Sequence, residues 1–189
     1  MTGRLFYIIG ASGAGKDSLM QYAREKLTGR QRIVFTHRYI TRPPELVGEN
    51  HIYLPEAEFS AKQAQGFFSM QWDSHGWRYG IGKEINLWLA LDFDVVINGS
   101  REYLFDALAK EPGMRVVLIK TSTKVLRERL EQRQRESEAE IELRLQRASS
   151  FNRIEHPNVT VLSNDGTLEQ AGEMFTQLLN NPRLVYSSV

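Results

Sequence analysis

The sequence predicts an α/β fold, a parallel sheet with helices on both of its faces. Short apolar runs alternate along the chain with longer segments whose apolar residues recur at helical spacing. Parallel strands need a crossover of helix length between them, so this rhythm is what a covered parallel sheet produces. The first run, residues 5–9 (LFYII), is apolar without a break and ends in glycine, as a strand buried on both faces does.

The elements follow in order. Residues 18–27 read as a helix, with Leu19, Tyr22, Ala23 and Leu27 on one face. Residues 33–35 form a second short strand, and the polar stretch 38–50, broken by Pro43, Pro44 and Gly48, reads as loop. A helix is expected over 55–65 with Pro55 in its first turn, then strands over 67–72 and 77–79 about a Ser74-His75-Gly76 turn. The alternation then becomes regular: helix 83–91, strand 94–97, helix 102–109, strand 116–119 and helix 123–130. A further helix begins near residue 141, followed by strand 159–162 and helix 168–179. Stretch 67–79 departs from the rhythm and reads as a small inserted β-rich lobe. Residues 182–189 read as a loosely held tail, leaving a single domain over 1–181.

At 189 residues and 41% hydrophobic, the chain has the size and apolar content of one domain with a substantial core. A net charge of +1 gives no global basic field, which argues against nucleic acid as a partner. Cysteine is absent, so disulfides, thiolate metal sites and a thiol nucleophile are excluded. The run at 5–9 is too short for a signal-peptide core or a membrane span, and no later stretch comes closer. A cytoplasmic protein with no membrane partner is the expectation; composition carries no signal of an oligomeric state.

Directly after the first strand stand Gly10, Ala11, Ser12, Gly13, Ala14, Gly15, Lys16, Asp17 and Ser18. Glycine, four residues, glycine and lysine between a strand and a helix is the spacing of a phosphate-cradling loop. The glycines let successive N–H groups turn inward, the helix N-terminus adds positive dipole, and Lys16 reaches the β- and γ-phosphates. The expected fold is therefore a P-loop NTPase fold, and ATP with Mg²⁺ the expected ligand of all nine residues. After Lys16 the motif calls for Ser or Thr to bind Mg²⁺, and Asp17 stands there instead. Two readings are open: Asp17 on the metal, directly or through water with Ser18 supplying a hydroxyl, or Asp17 as a helix N-terminal acid favoured by the dipole.

The order of the remaining motifs resembles the guanylate kinase-like fold: a phosphate loop, an acceptor loop, a small lobe ending in Tyr-Tyr-Gly and an arginine-rich lid. The chain offers Arg38-Tyr-Ile-Thr-Arg42-Pro-Pro, Gly48-Glu-Asn-His51 and Trp77-Arg78-Tyr79-Gly80. Its lid candidate runs from Arg127 through Arg129, Arg133 and Arg135, with Arg144 beyond. The resemblance implies an acceptor lobe over about 38–82 and a lid over about 131–140. The departures are informative. Glu45 replaces an acceptor-loop arginine, His51 a tyrosine, and Asn98-Gly99-Ser100-Arg101 an acidic strand end. The base-reading glutamate, ten residues ahead of Gly80, falls on Met70, which cannot accept a hydrogen bond from a guanine.

Gly-Lys-Asp-Ser, His-Arg-Tyr-Ile-Thr-Arg, Glu-Asn-His and Val-Val-Ile-Asn-Gly-Ser-Arg together resemble the ribose 1,5-bisphosphate phosphokinases of phosphonate breakdown. That resemblance implies phosphorylation of the 1-phosphate of α-D-ribose 1,5-bisphosphate to give 5-phospho-α-D-ribose 1-diphosphate (PRPP). A phosphate oxygen is already anionic near neutral pH, so no general base is required. Arg38 and Arg42 are the candidates for acceptor phosphates, because guanidinium forks match phosphate oxygens two at a time. His51, matching a family acceptor contact, is expected to hydrogen-bond substrate, with Arg78, Tyr79 and Arg101 as further contacts. Lys16, Asp17, Arg133, Arg135 and Arg144 are the expected catalytic set, the arginines closing over the transferred group. Neither His37 nor His51 stands in a metal-ligand spacing, and Trp72, Trp77, Tyr79 and Trp88 read as packing rather than a base-stacking platform. The competing readings are a guanylate-type nucleoside monophosphate kinase, opposed by Met70 and Glu45, and a non-catalytic interaction module, opposed by the retained Gly10, Gly15 and Lys16.

Overall fold

A computed structural model describes residues 3–29, 32–43, 50–133, 137–150 and 154–180. In chain order the elements begin β1 (Leu5–Gly10), α1 (Lys16–Leu27), β2 (Ile33–Phe35), β3 (Arg38–Ile40), β4 (His51–Tyr53) and α2 (Glu56–Ala64). They continue with β5 (Phe68–Ser74), β6 (Trp77–Gly82), α3 (Glu84–Ala90), β7 (Asp94–Asn98) and α4 (Leu104–Lys110). The last are β8 (Arg115–Lys120), α5 (Thr123–Arg133), α6 (Glu138–Ser150), β9 (Val159–Ser163) and α7 (Leu168–Asn180). The parallel α/β alternation expected from the apolar runs is therefore present. The described residues cluster into two compact units, residues 3–7 with 28–114 and residues 8–27 with 115–180, so neither is continuous in sequence.

In the first unit the strand order is β2-β7-β1, with β2 parallel to β7 from Ile33 opposite Asp94 to Phe35 opposite Val96. Residues 5–9 of β1 are all buried, as their unbroken apolarity requires. The Asp94 carboxylate accepts the backbone N–H and the Nε–H of Arg4, each at 2.9 Å, and so ties the start of β1 to the start of β7.

A second, four-stranded sheet in the same unit has the order β4-β3-β6-β5. β5 and β6 form a hairpin whose turn residues, His75 and Gly76, lie at φ 52° and 77°, the conformation of a type I′ turn that matches strand twist. The stretch 38–50, expected as loop, contributes β3, and β4 follows at once; β3 pairs parallel with β4 and antiparallel with β6. These strands are three residues each and mix polar with apolar side chains, so their pairing partners make them strands and no local pattern does. Residues 44–49, including Glu45 and Gly48, lie outside the described residues, as do 134–136 of the expected lid and the tail 182–189. Helix α2 starts after Pro55, which sits at the N-cap with φ −54° rather than inside the first turn. Leu54, Phe59 and Phe68 form the lobe's core, with Tyr39 and Phe67 packed on it.

In the second unit the order is β1-β8-β9, with β8 parallel to β9 from Val116 opposite Val159 to Lys120 opposite Ser163. Helices α1 and α7 pack together, with Leu19 and Ala23 of the first and Phe175, Leu178 and Leu179 of the second buried. The Tyr22 hydroxyl donates to Glu173 at 2.6 Å, and Lys26 Nζ lies 3.3 Å from the same carboxylate. Helix α6 begins three residues ahead of the position expected, because Ser137 and Glu140 make a capping box. Glu140 accepts the Ser137 N–H at 2.7 Å, and Ser137 Oγ accepts the Glu140 N–H at 3.4 Å. Leu126 and Leu130 of α5 join Ile141 and Leu145 of α6 in a buried seam. Across its rim Arg127 reaches Glu138 and Glu142, the latter at 2.6 Å. Among the described residues no helix is long and apolar enough to cross a membrane.

Phe175 is fully buried in α7. Phe175→Ala is expected to cost about 3–5 kcal/mol of stability, read as a lower urea midpoint at unchanged slope.

Candidate functional site

The phosphate-loop residues lie in the second unit from Gly10 onward. The chain turns there through Gly13 at φ 90° and Gly15 at φ 84°, values that side chains rarely allow. Position 15 is closed to a side chain for a second reason: a Cβ there would stand 2.5 Å from Asn164 Nδ2 and 3.5 Å from Arg129 Nη1. Helical bonding begins at once, with Leu19 N–H donating to the Gly15 carbonyl at 3.0 Å. The first-turn N–H groups of such a helix have no intrahelical acceptor and present their dipole to the loop.

Two side chains from the ends of β8 and β9 set the loop's orientation. Asn164 Nδ2 donates to the Ala14 carbonyl at 2.7 Å, and Thr121 Oγ1 donates to the same oxygen at 3.2 Å. Asn164 is itself 4% exposed and held by its backbone N–H on the Lys120 carbonyl at 2.8 Å. In a trans peptide the N–H opposes the C=O, so fixing the Ala14 oxygen toward Asn164 turns the Gly15 N–H the other way. Sequence reading missed both residues, because a brace from a distant strand end leaves no mark on the glycine motif.

The Lys16 side chain is largely buried and its Nζ lies 3.8 Å from Asp17 Oδ1, whose side chain is half exposed. Asp17 thus stands in the first turn of α1 and beside the lysine at once, a geometry consistent with both readings of it. Ser18 lines an open cavity of about 300 Å³ together with Gly13, Gly15, Arg129, Gln132, Asn164 and Leu168. Arg129 Nη1 is buried and makes no hydrogen bond among the described residues. Arg129, which stands inside the lid candidate but outside the expected catalytic set, lies one turn before Arg133 on α5, a position on the same helix face. Arg144 Nη1 donates to Ser12 Oγ at 2.7 Å, which sets it on the phosphate loop. The α5–α6 seam packs against Ala11 of that loop. Arg133 closes α5, its side chain outside the described residues, and Arg135 is outside them altogether. Among the described residues no three His, Cys, Asp or Glu side chains group in a way that could hold a metal. Asp17 and Ser18 nonetheless supply oxygen atoms, the donors a hard cation such as Mg²⁺ prefers, in the small number it takes from protein beside a phosphate.

The residues expected to contact the acceptor lie in the first unit. Arg38 on β3 is directly opposite His51 on β4, and the guanidinium of Arg38 lies 5.5 Å from the centre of the Tyr79 ring on β6. Tyr79 stacks on Trp72 at 5.5 Å with the planes 2° apart, and Trp72 stacks on Tyr103 at 5.5 Å. Trp72 and Tyr79 are therefore occupied with one another, in keeping with a packing role. Arg42 follows Thr41, which is pinned to β6 through its hydroxyl on the Arg78 N–H at 2.9 Å. Met70 is fully buried opposite Ile81 and brings no polar atom to the lobe. The half-buried Arg101 follows Ser100 beyond β7, and burial holds its guanidinium below the usual range, opposed by Glu102.

Arg78 is engaged by its own lobe. Its Nη1 donates to Glu56 at 2.6 Å and Ser60 at 2.8 Å, Nη2 donates to Gln63, and Nε is 3.8 Å from Asp73. The guanidinium also lies 4.5 Å from the Phe59 ring centre. With these donors engaged inside the lobe, it clamps α2 to the hairpin.

No family model matches the chain. A ribose 1,5-bisphosphate phosphokinase PhnN of Thiobacillus denitrificans is 55% identical over 181 residues, 95% of this chain and 94% of the relative. Proteins of the same description from Psychromonas ingrahamii and Chromobacterium violaceum are 50% and 48% identical, over 95% and 97% of this chain and 91% and 97% of their own lengths. Among solved structures, a guanylate kinase of Anaplasma phagocytophilum superposes with a TM-score of 0.72 at 16% identity, over 97% of this chain and 87% of that one. At that identity the match speaks to fold alone, and it agrees with the guanylate kinase-like expectation.

Asn164→Ala removes the shorter of the two bonds on the Ala14 carbonyl. It is expected to weaken nucleoside triphosphate binding about tenfold by calorimetry, the worth of one buried hydrogen bond.

Proposed function

The chain belongs to the ribose 1,5-bisphosphate phosphokinase family, and from that premise we propose that it moves the terminal phosphoryl group of ATP onto the 1-phosphate of α-D-ribose 1,5-bisphosphate. The products are ADP and PRPP, which assigns the protein to phosphonate catabolism and PRPP supply, in the cytoplasm where ATP is available. The observation that carries the acceptor choice is the composition of the lobe: guanidinium groups on β3, in the Thr41–Arg42 turn and beyond β7, with buried, apolar Met70 at the position that reads a base in guanylate kinase-like nucleotide kinases.

In the transfer an oxygen of the acceptor's 1-phosphate forms a bond to the γ-phosphorus. The bond from that phosphorus to the β–γ bridging oxygen breaks, and its electron pair stays on ADP. The attacking oxygen carries no proton, so none has to move, and the protein's task is positioning and charge neutralisation. Lys16 and the loop amides of residues 10–18 hold the triphosphate; Arg144, already on Ser12, and Arg129, beside Gly15, add positive charge on the donor. Arg133 and Arg135 complete the lid in this reading. Arg38, Arg42 and Arg101 take the acceptor's two phosphates, with His51 as a hydrogen-bonding group and Tyr79 as the face on which Arg38 rests. Asp17 and Ser18 would hold Mg²⁺, which would supply charge neutralisation to the triphosphate.

The test is incubation with ATP, Mg²⁺ and either ribose 1,5-bisphosphate or GMP. ADP matched by PRPP, with GMP inert, is expected; turnover of GMP alone overturns the reading. At saturating Mg²⁺, Asp17→Ala is expected to lose far more activity than Asn98→Ala, and the opposite ranking would remove Asp17 from the metal.

A further inference from the structure

Tyr7 lies on β1 inside the first unit, fully buried, three residues before the phosphate loop and with no part in it. A phenol in the buried run at residues 5–9 needs a partner for its hydroxyl, and among the described residues Ser100 is that partner. The Ser100 N–H donates to Tyr7 Oη at 2.9 Å, and Tyr7 O–H donates back to the Ser100 carbonyl at 3.3 Å. The same ring closes over Gly99, where any side chain would collide with it. Strand β7 ends at Asn98, so the phenol grips the chain at the two residues where it leaves the sheet, and the next residue is Arg101.

We propose that Tyr7 is a positioning residue for the acceptor: by holding both backbone groups of Ser100 and walling Gly99, it fixes the exit of β7 so that Arg101 meets the sugar bisphosphate in one orientation. This rests on the reading of Arg101 as an acceptor contact. A guanidinium kept partly from water loses hydration before any anion arrives, so its worth to a phosphate depends on being aimed beforehand. The phenol suits the task because it bonds both ways while staying uncharged. Burial pushes its ionisation well above the usual range, with the Ser100 bond and the charge of Arg38 acting in the opposite sense. Arg38 also acts electrostatically on Tyr7, so the phenol lies within the field of a second acceptor arginine as well.

The test is a cycle of Tyr7→Phe, Arg101→Ala and the double variant, with folding checked by melting temperature and KM measured separately for ATP and ribose 1,5-bisphosphate. Tyr7→Phe is expected to raise the acceptor KM roughly tenfold while the ATP KM stays within about twofold, and to add little once Arg101 is gone. Parallel rises in both KM values, an unchanged acceptor KM, or full additivity with Arg101→Ala overturns the inference. If the wild type neither binds nor turns over ribose 1,5-bisphosphate, or Arg101→Ala leaves the acceptor KM unchanged, the underlying reading falls and takes the inference with it. Those two results are distinguishable from failure of the Tyr7 variant alone.

Discussion

The second unit turns on the orientation of one peptide group, that between Ala14 and Gly15, because a loop that binds phosphate through backbone amides works only when those amides face one side. The glycine motif allows this orientation and does not enforce it; left-handed φ values at Gly13 and Gly15 are permitted states for a residue with many others. Enforcement comes from Asn164 and Thr121 on the Ala14 carbonyl. The strand ends of the unit therefore act as a jig for the loop. Asn164, which orients the loop, also lines the cavity beside it, together with Arg129, whose Nη1 makes no hydrogen bond among the described residues.

The small four-stranded lobe gets its rigidity from side chains that tie its elements together. Arg78, ringed by Glu56, Ser60, Gln63 and Asp73, holds α2 to the β5–β6 hairpin. Arg38 lies against the face of Tyr79, a contact of cation–π type. The Tyr79–Trp72–Tyr103 stack behind it is a support of stiff, two-torsion side chains, which hold a position at small entropic expense.

Much of this was legible in the sequence, and the illegible parts share a cause. β1, the loop and α1 were readable because their signals are local: five apolar residues, two glycines and a lysine in fixed spacing. β3 and β4 were not, since three residues cannot display a period and their strand character comes from partners up to about forty positions away. Arg78 reads in sequence as one more exposed arginine, and only the neighbours folded against it show that it ties α2 to the hairpin. Asn164 followed the last strand in plain view, yet a buried amide says nothing of which carbonyl it will meet.

The rim of the α5–α6 hairpin is ionic and its seam is aliphatic, and these two kinds of attachment answer to different solvents. The Arg127 links to Glu138 and Glu142 are exposed, so they weaken once dissolved ions bring the screening length to about 10 Å or less. The Leu126, Leu130, Ile141 and Leu145 seam is indifferent to that and is tightened by salts that are excluded from protein surface. The two helices that carry Arg129 and Arg144 are thus joined by a seam that salt leaves intact and by rim links that salt weakens, so ionic strength acts on one attachment and spares the other.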